Sequence, residues 1–363
     1  MAKMEKTITA RQLFFLVIQT QIGVSVLKIP HKVNEIARGG SGISIIIAGL
    51  ITQALILMMW LLLKKYPGKN LYQILLGMAG PIFGRILIVS YAAHFILLGA
   101  NIMISATDII HRWLLVSTPK WVLLALFSYL AYFLAREKLS VLARFDTLAC
   151  LLFIPLVLFV GYGLNEAHIE NMLPLLEQGY FKIFTGAKDV TLAIYGFEIL
   201  LVVYPFIKAD NKQILWSMTA ANSFTTFFYL FVVEVCLLAF SHDQLKLMPE
   251  PVIYLMKSMN FYIFDRADIV FVPIWSITTI CSLVSYVYSA ALGFSDIFKK
   301  SNHHLFSALS VTISFAIAFV PVTPSAMEKL DKIAEYMAYV FIALIPLVLL
   351  LISLISLKKK EGR

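Results

Sequence analysis

Two short stretches of this 363-residue chain set polar chemistry inside otherwise apolar runs. The first, QTQIGVSVLKIP, places Gly23 mid-run, with Val24 and Ser25 after it and Pro30 at its close. The second, LAIYGFEILLVVYP, places Gly196 between Tyr195 and Phe197, adds Glu198, and closes on Pro205. Glycine lets the backbone leave helical geometry, and proline removes a donor. Backbone freed at depth in an apolar medium must be buried in protein or face a wet cavity, where its N–H and C=O groups can bind a polar ligand. The N-terminus of the resumed half-helix carries partial positive charge and suits a carboxylate. Either glycine alone is equally explained by close helix packing; the matched pair points to a site. Glu198 could accept an amino group, carry a proton, hydrogen-bond the other broken segment, or simply be a satisfied structural carboxylate. The Phe197 ring could cap a cavity, and Tyr195 belongs to the same lining set.

Weaker candidates lie on two further runs. Thr278, Thr279, Ser282 and Ser285 offer hydroxyls that could reach an ion or ligand, although such groups also bond back to their own helix. Tyr91, His94, Gly99 and Asn101 recur at roughly helical spacing, with Gly99 the small residue of the set. No catalytic residue, metal site or cofactor is expected. There is no P-loop, GxGxxG, HExxH or GxSxG pattern. His303 and His304 lack further ligands nearby, and Cys150, Cys236 and Cys281 stand singly in apolar surroundings.

These residues must be positioned by membrane-spanning helices. Hydrophobic residues make up 60% of the chain, charged residues 14%, and mean hydropathy is +0.85; a soluble domain carries roughly 25% charged residues. Spans of about 20 apolar residues are expected at roughly 10–30, 41–63, 84–113, 119–135, 145–164, 187–207, 214–240, 268–295, 304–321 and 334–357. The expectation is an all-α, ten-span, single polytopic membrane domain over 1–363, with no cleavable signal peptide. The longest link, Ser241 to Ala267, contains PEPVIYLMKSM, read as a short helix along the membrane surface. Gly23 and Gly196 fall in spans 1 and 6, the first helices of two five-span halves, about 10–164 and 187–357. An odd number of spans per half makes the second half inverted.

Charge supplies an orientation. With ten spans both termini share one side, and that side carries 18 of the 30 Lys and Arg residues. Basic residues mark the cytoplasmic side, so both termini are expected there. The tail KKKEGR then anchors the last helix at an anionic leaflet, and the net charge of +9 calls for no nucleic acid.

ITARQLFFLVIQTQIGVSVLKIP, PGKNLYQILLGMAGPIFGR and YGFEILLVVYPFI together resemble the B subunit of bacterial spore germinant receptors, a family of the amino acid–polyamine–organocation superfamily. The resemblance implies a five-plus-five inverted-repeat fold like that of the sodium-coupled leucine transporter, and residence in the spore inner membrane. It also implies recognition of a small germinant, often an amino acid, beside a membrane-spanning A subunit and a lipoprotein C subunit. By position it carries the pocket onto Gly23, Val24 and Ser25, and onto Gly196, Phe197 and Glu198. Some proton-coupled relatives carry a lysine in span 5. The stretch LACLLFIPLVLFVGYG, read as span 5, has no ionisable residue, and on that ground a sensor is favoured over a coupled transporter. A secondary solute transporter is the alternative.

Overall fold

Span 1 is two helices rather than one. In the computed structural model, which describes residues 7–258, 266–298, 303–320 and 324–361, α1 (Ala10–Gln21) opens on a capping box. Thr9 Oγ1 accepts from Gln12 N–H at 3.2 Å, and Gln12 Oε1 accepts from Thr9 N–H at 3.0 Å. It stops at Gln21, and α2 (Ser25–Ala37) resumes after Ile22–Val24. The chain then turns at 38–40 into α3 (Ser41–Lys64), which is span 2. Span 3 lies within α4 (Leu71–Trp113), kinked at Gly80–Pro81. Span 4 is α5 (Lys120–Ala135). Span 5 joins α6 (Leu139–Ala149) to α7 (Phe153–Tyr162) through one tight turn.

Span 6 mirrors the break of span 1. Its first half is α8 (Gly179–Ala193); its second, Phe197–Phe206, contains α9 (Leu200–Val203) and is bent by 50° from the first. Span 7 is α10 (Asn211–Ala239). Two short helices follow, α11 (His242–Leu247) and α12 (Pro251–Ser258). Spans 8 and 9 are α13 (Asp268–Phe298) and α14 (His304–Phe319). Span 10 begins with α15 (Pro324–Ala338), passes through a π-helical turn at Tyr339–Leu344, and ends with α16 (Ile345–Glu361). Counted by length alone, six or seven described segments are long and apolar enough to cross a membrane. The number becomes ten once Ser25–Lys64 is divided at its turn, α1 is joined to α2, and the 16-residue helices α5 and α14 are included.

Two expectations are sharpened. The helix in the span 7–8 link is covered by the rest of the protein. Val252, Ile253, Leu255 and Met256 are all buried, because apolar residues cover most of its circumference and it packs against α2 and α13. Glu250 just before it is 1% exposed and pairs with Arg112 at 2.7 Å. Span 5 begins at Leu139 rather than near 145, and Asp146 lies within it, just ahead of the stretch LACLLFIPLVLFVGYG. The basic residues Lys3, Lys6, Lys299, Lys300 and Arg363, the end of span 9 at 321, and the remainder of the span 7–8 link at 259–265 lie outside the described residues, as do the side chains of the tail lysines.

A two-stranded parallel pair joins the start of span 1 to the end of span 6. In it β1 (Ile8–Thr9) aligns with β2 (Ile207–Lys208), and Thr7 N–H donates to Phe206 C=O at 2.7 Å. Ser217 donates to Ala10 C=O, and Tyr204 hydroxyl to Asn211 Oδ1. These bonds close the bundle at the end where span 1 begins.

The two breaks touch. Gly196 has φ of +132°, and a Cβ there would lie 2.6 Å from Gln21 N. A Cβ on Gly23 would meet only the Ser282 hydroxyl, at 3.0 Å. Gly196→Ala is therefore expected to cost at least about 1–3 kcal/mol from the strained backbone, and Gly23→Ala distinctly less. Thermal unfolding of the purified variants in detergent checks the order; equal midpoints would contradict it.

Candidate functional site

A broken helix at membrane depth leaves carbonyls without intrahelical partners, and here side chains from distant spans satisfy them. Ser282 hydroxyl, on α13, lies 3.1 Å from Gln19 C=O and 2.6 Å from Thr20 C=O. Tyr229 hydroxyl, on α10, lies 3.1 Å from Gln21 C=O and 3.4 Å from Ala193 C=O, bridging both breaks. Trp275 indole N–H donates to Gly23 C=O at 3.3 Å. Gln21 Nε2 crosses to Ile194 C=O at 3.1 Å. On the other break, Gly196 N–H donates to Glu198 Oε2 at 2.7 Å. Glu198 is 1% exposed; Tyr286 faces the same carboxyl group, whose Oε1 has no strict partner among the described residues.

Beside these stitched breaks lies a cavity of about 280 Å³. Gly23, Val24 and Ser25 line its floor, and Tyr195 its wall. Asn101 and Ser105 enter from α4, Ser282 and Tyr286 from α13, Asp189 from α8, and Asp331 and Glu335 from α15. On α2 the residues Ser25, Lys28 and Lys32 follow at three- and four-residue steps, so one helical face presents a hydroxyl and two ammonium groups. Lys28 Nζ sits 3.5 Å from Ser105 Oγ. No side chain caps the N-terminus of α2, and its first residue, Ser25, lines the cavity. The cavity thus carries both signs of charge. Its charged residues lie on the half-helices leading away from the closed β1–β2 end.

Other expected site residues sit elsewhere. Gly196, Phe197 and Glu198 do not line the cavity: Gly196 packs against the span 1 backbone, Glu198 accepts from Gly196 N–H within its own break, and Phe197 is fully buried. Thr278 and Thr279 both donate back to Trp275 C=O, at 2.8 and 3.1 Å. Gly99 packs beneath Leu283 and Ser314. His94 is fully buried against Phe341.

Sequence reading passed over Lys28, Lys32, Asp189, Asp331 and Glu335. The usable signal was Lys28, an ammonium five residues past a break inside an apolar span. It also passed over Asp146. The span 5 stretch free of ionisable groups was drawn too short. Asp146 is 3% exposed, faces the Cys281 thiol of span 8, and lies a helical turn from Cys150. The ground for setting coupled transport aside therefore falls.

Ten spans with paired, contacting breaks in spans 1 and 6 and a polar cavity between them define the architecture of a secondary transporter. The described structure aligns with a closed, ligand-bound nucleobase–cation symporter, Mhp1, at a TM-score of 0.66 and 12% identity, covering 93% of this chain and 79% of that one. The fold is accordingly the five-plus-five inverted repeat of the leucine-transporter type. In sequence, the chain belongs to the spore germination protein family, whose family model matches residues 7–327. Spore germination protein GerQB of Bacillus cereus is 23% identical over 80% of this chain and 81% of its own length. Spore germination protein YndE of Bacillus subtilis is 24% identical over 81% and 82%.

Removing a stitch leaves a buried carbonyl unmet, at about 1–3 kcal/mol. Ser282→Ala and Tyr229→Phe are each expected to lower the thermal midpoint by several degrees, while Thr279→Ala, which frees no carbonyl of another span, lowers it less. Differential scanning fluorimetry on the three variants makes the comparison.

Proposed function

We propose that this chain is the B subunit of a spore germinant receptor. It binds a small germinant, an amino acid by its chemistry, in the cavity at the span 1 break. The single observation that carries this reading is the distribution of charge around that cavity. The uncapped N-terminus of α2 and Lys28 form a side that favours a carboxylate, and Asp189 with Glu335 a side that favours an ammonium group. A cavity of about 280 Å³ falls below the roughly 300–1,000 Å³ of drug-sized sites, which suits a compact zwitterion. The names of the relatives support a germination role.

In this reading both termini are cytoplasmic, the chain sits in the spore inner membrane, and the cavity opens outward, where a germinant arrives. Spans 10–164 and 187–357 act as the two repeats. A germinant that fits one arrangement of the half-helices better than another shifts their equilibrium, and the membrane-spanning A subunit and lipoprotein C subunit take up the change. No catalytic role is proposed.

A secondary transporter is the second reading, and Asp146 is the observation that favours it. A carboxyl group buried between spans 5 and 8 could take up a proton in step with alternating access. Substrate-dependent uptake into proteoliposomes holding this chain alone would support that reading over the sensor.

For the receptor, the test is germination of spores carrying this receptor alone against a panel of amino acids, sugars and nucleosides. Lys28→Met, at normal receptor level, is expected to raise the half-maximal amino-acid concentration roughly tenfold or more, the worth of one charged hydrogen bond. An unchanged dose–response would sink the proposal.

A further inference from the structure

On the outside of spans 1, 5 and 7, a basic surface lies beside an apolar trough. The surface lies at the closed end and is formed by Arg11, Lys208 and Lys212, all exposed, with Trp216 65% exposed beside them. None of the three cations pairs with an acidic group among the described residues. The one acid at the surface, Asp210, is occupied in capping α10, its Oδ1 accepting from Gln213 N–H at 2.7 Å.

The trough has a volume of about 350 Å³ and is lined by Phe14, Phe15, Ile18, Phe153 and Phe224, with Ile154, Val157 and Leu158 along its outer edge. Phe224 bridges its two walls, 6.4 Å from Phe14 and 6.1 Å from Phe153 between ring centroids. The join is set by helical spacing. Arg11 to Phe15 on α1, and Trp216 to Phe224 on α10, are four-residue and eight-residue steps along one face. Arg11 itself lies 6.0 Å above the Phe15 ring, at the boundary of the two regions.

We propose that this groove binds one anionic phospholipid from the leaflet at the closed end, its phosphate on Arg11, Lys208 and Lys212 and one acyl chain in the trough. The polarity profile selects the occupant. Cations and an indole stand at headgroup depth, and the aromatic trough continues toward the membrane centre. A free phosphate would leave the trough empty, and an uncharged apolar partner would leave the three cations unmatched. Such a lipid ties α1 to the span 6–7 turn and to α10 around the β1–β2 pair, and so holds that end closed.

Native mass spectrometry of the full chain, loaded with dioleoyl phosphatidylglycerol or dioleoyl phosphatidylcholine, tests the site. The wild-type chain is expected to retain one phosphatidylglycerol in preference to phosphatidylcholine. K208Q/K212Q is expected to lower phosphatidylglycerol retention roughly tenfold and leave phosphatidylcholine unchanged. V157W or I154W, filling the trough, is expected to lower both; two separate variants guard against one that fails to fold. K69Q/R85Q removes two exposed cations from the span 2–3 turn and α4, which line neither the basic surface nor the trough, and is expected to change nothing. No headgroup preference, an equal loss in K69Q/R85Q, or retention untouched by both tryptophan variants would overturn the proposal.

Discussion

Backbone groups released from a helix inside a membrane have no water to turn to, so they must find partners in the protein. Everything at the centre of this chain follows from how that requirement is met. Two helices stop within the bundle, and their exposed carbonyls are taken up by Ser282, Tyr229, Trp275 and Gln21. Three of those donors stand on the uninterrupted helices α10 and α13, so the broken spans are fixed to a continuous scaffold. Gly196 brings the second break against the backbone of the first, and Glu198 supplies the acceptor for its amide. The cavity is what remains on the open side once these bonds are made. The same carbonyls that might have held a ligand are already engaged, so recognition there passes to the N-terminus of α2 and to side chains.

The two ends of the bundle are built differently. At one, a strand pair and the contacts of Ser217 and Tyr204 join the start of span 1 to spans 6 and 7. At the other, the half-helices α2, α8 and α15 diverge around charged residues of both signs. The first half of span 10 is separated from its second half by a π-helical turn, and Tyr91 hydroxyl donates to Phe341 C=O within that turn at 2.8 Å. Irregular turns of this kind recur at functional sites in helices. The asymmetry is that of a cavity reachable from one side, the arrangement a sensor and a transporter both need.

Much of this architecture was legible in the chain. The number of spans follows from apolar run length, and both breaks were marked by glycine inside an apolar run with proline beyond. What was not legible was what the breaks bond to. Tyr229 and Ser282 lie far from Gln21 and Gln19 in sequence, and no local pattern distinguishes a hydroxyl that crosses to another span from one that bonds to its own. Thr278 and Thr279 do the latter, while Ser282, one turn on, does the former. Lys28 was visible as a charge but was absorbed into the motif around it. Asp146 falls inside the expected span 5, 145–164, but two residues ahead of LACLLFIPLVLFVGYG, the stretch in which ionisable groups were sought. The burial of α12 against α2 was not legible, because the two helices lie far apart in sequence.

The central claim is that the cavity beside the stitched breaks holds a small zwitterion. The most direct measurement is equilibrium binding of the amino acid that germinates these spores to the purified chain alone in lipid nanodiscs, with Ser25→Trp as the blocked form. The account predicts saturable binding of one molecule per chain at concentrations that trigger germination, and its loss in the Ser25→Trp protein. Binding that persists undiminished in that variant, or no saturable binding to the wild-type chain, would contradict it.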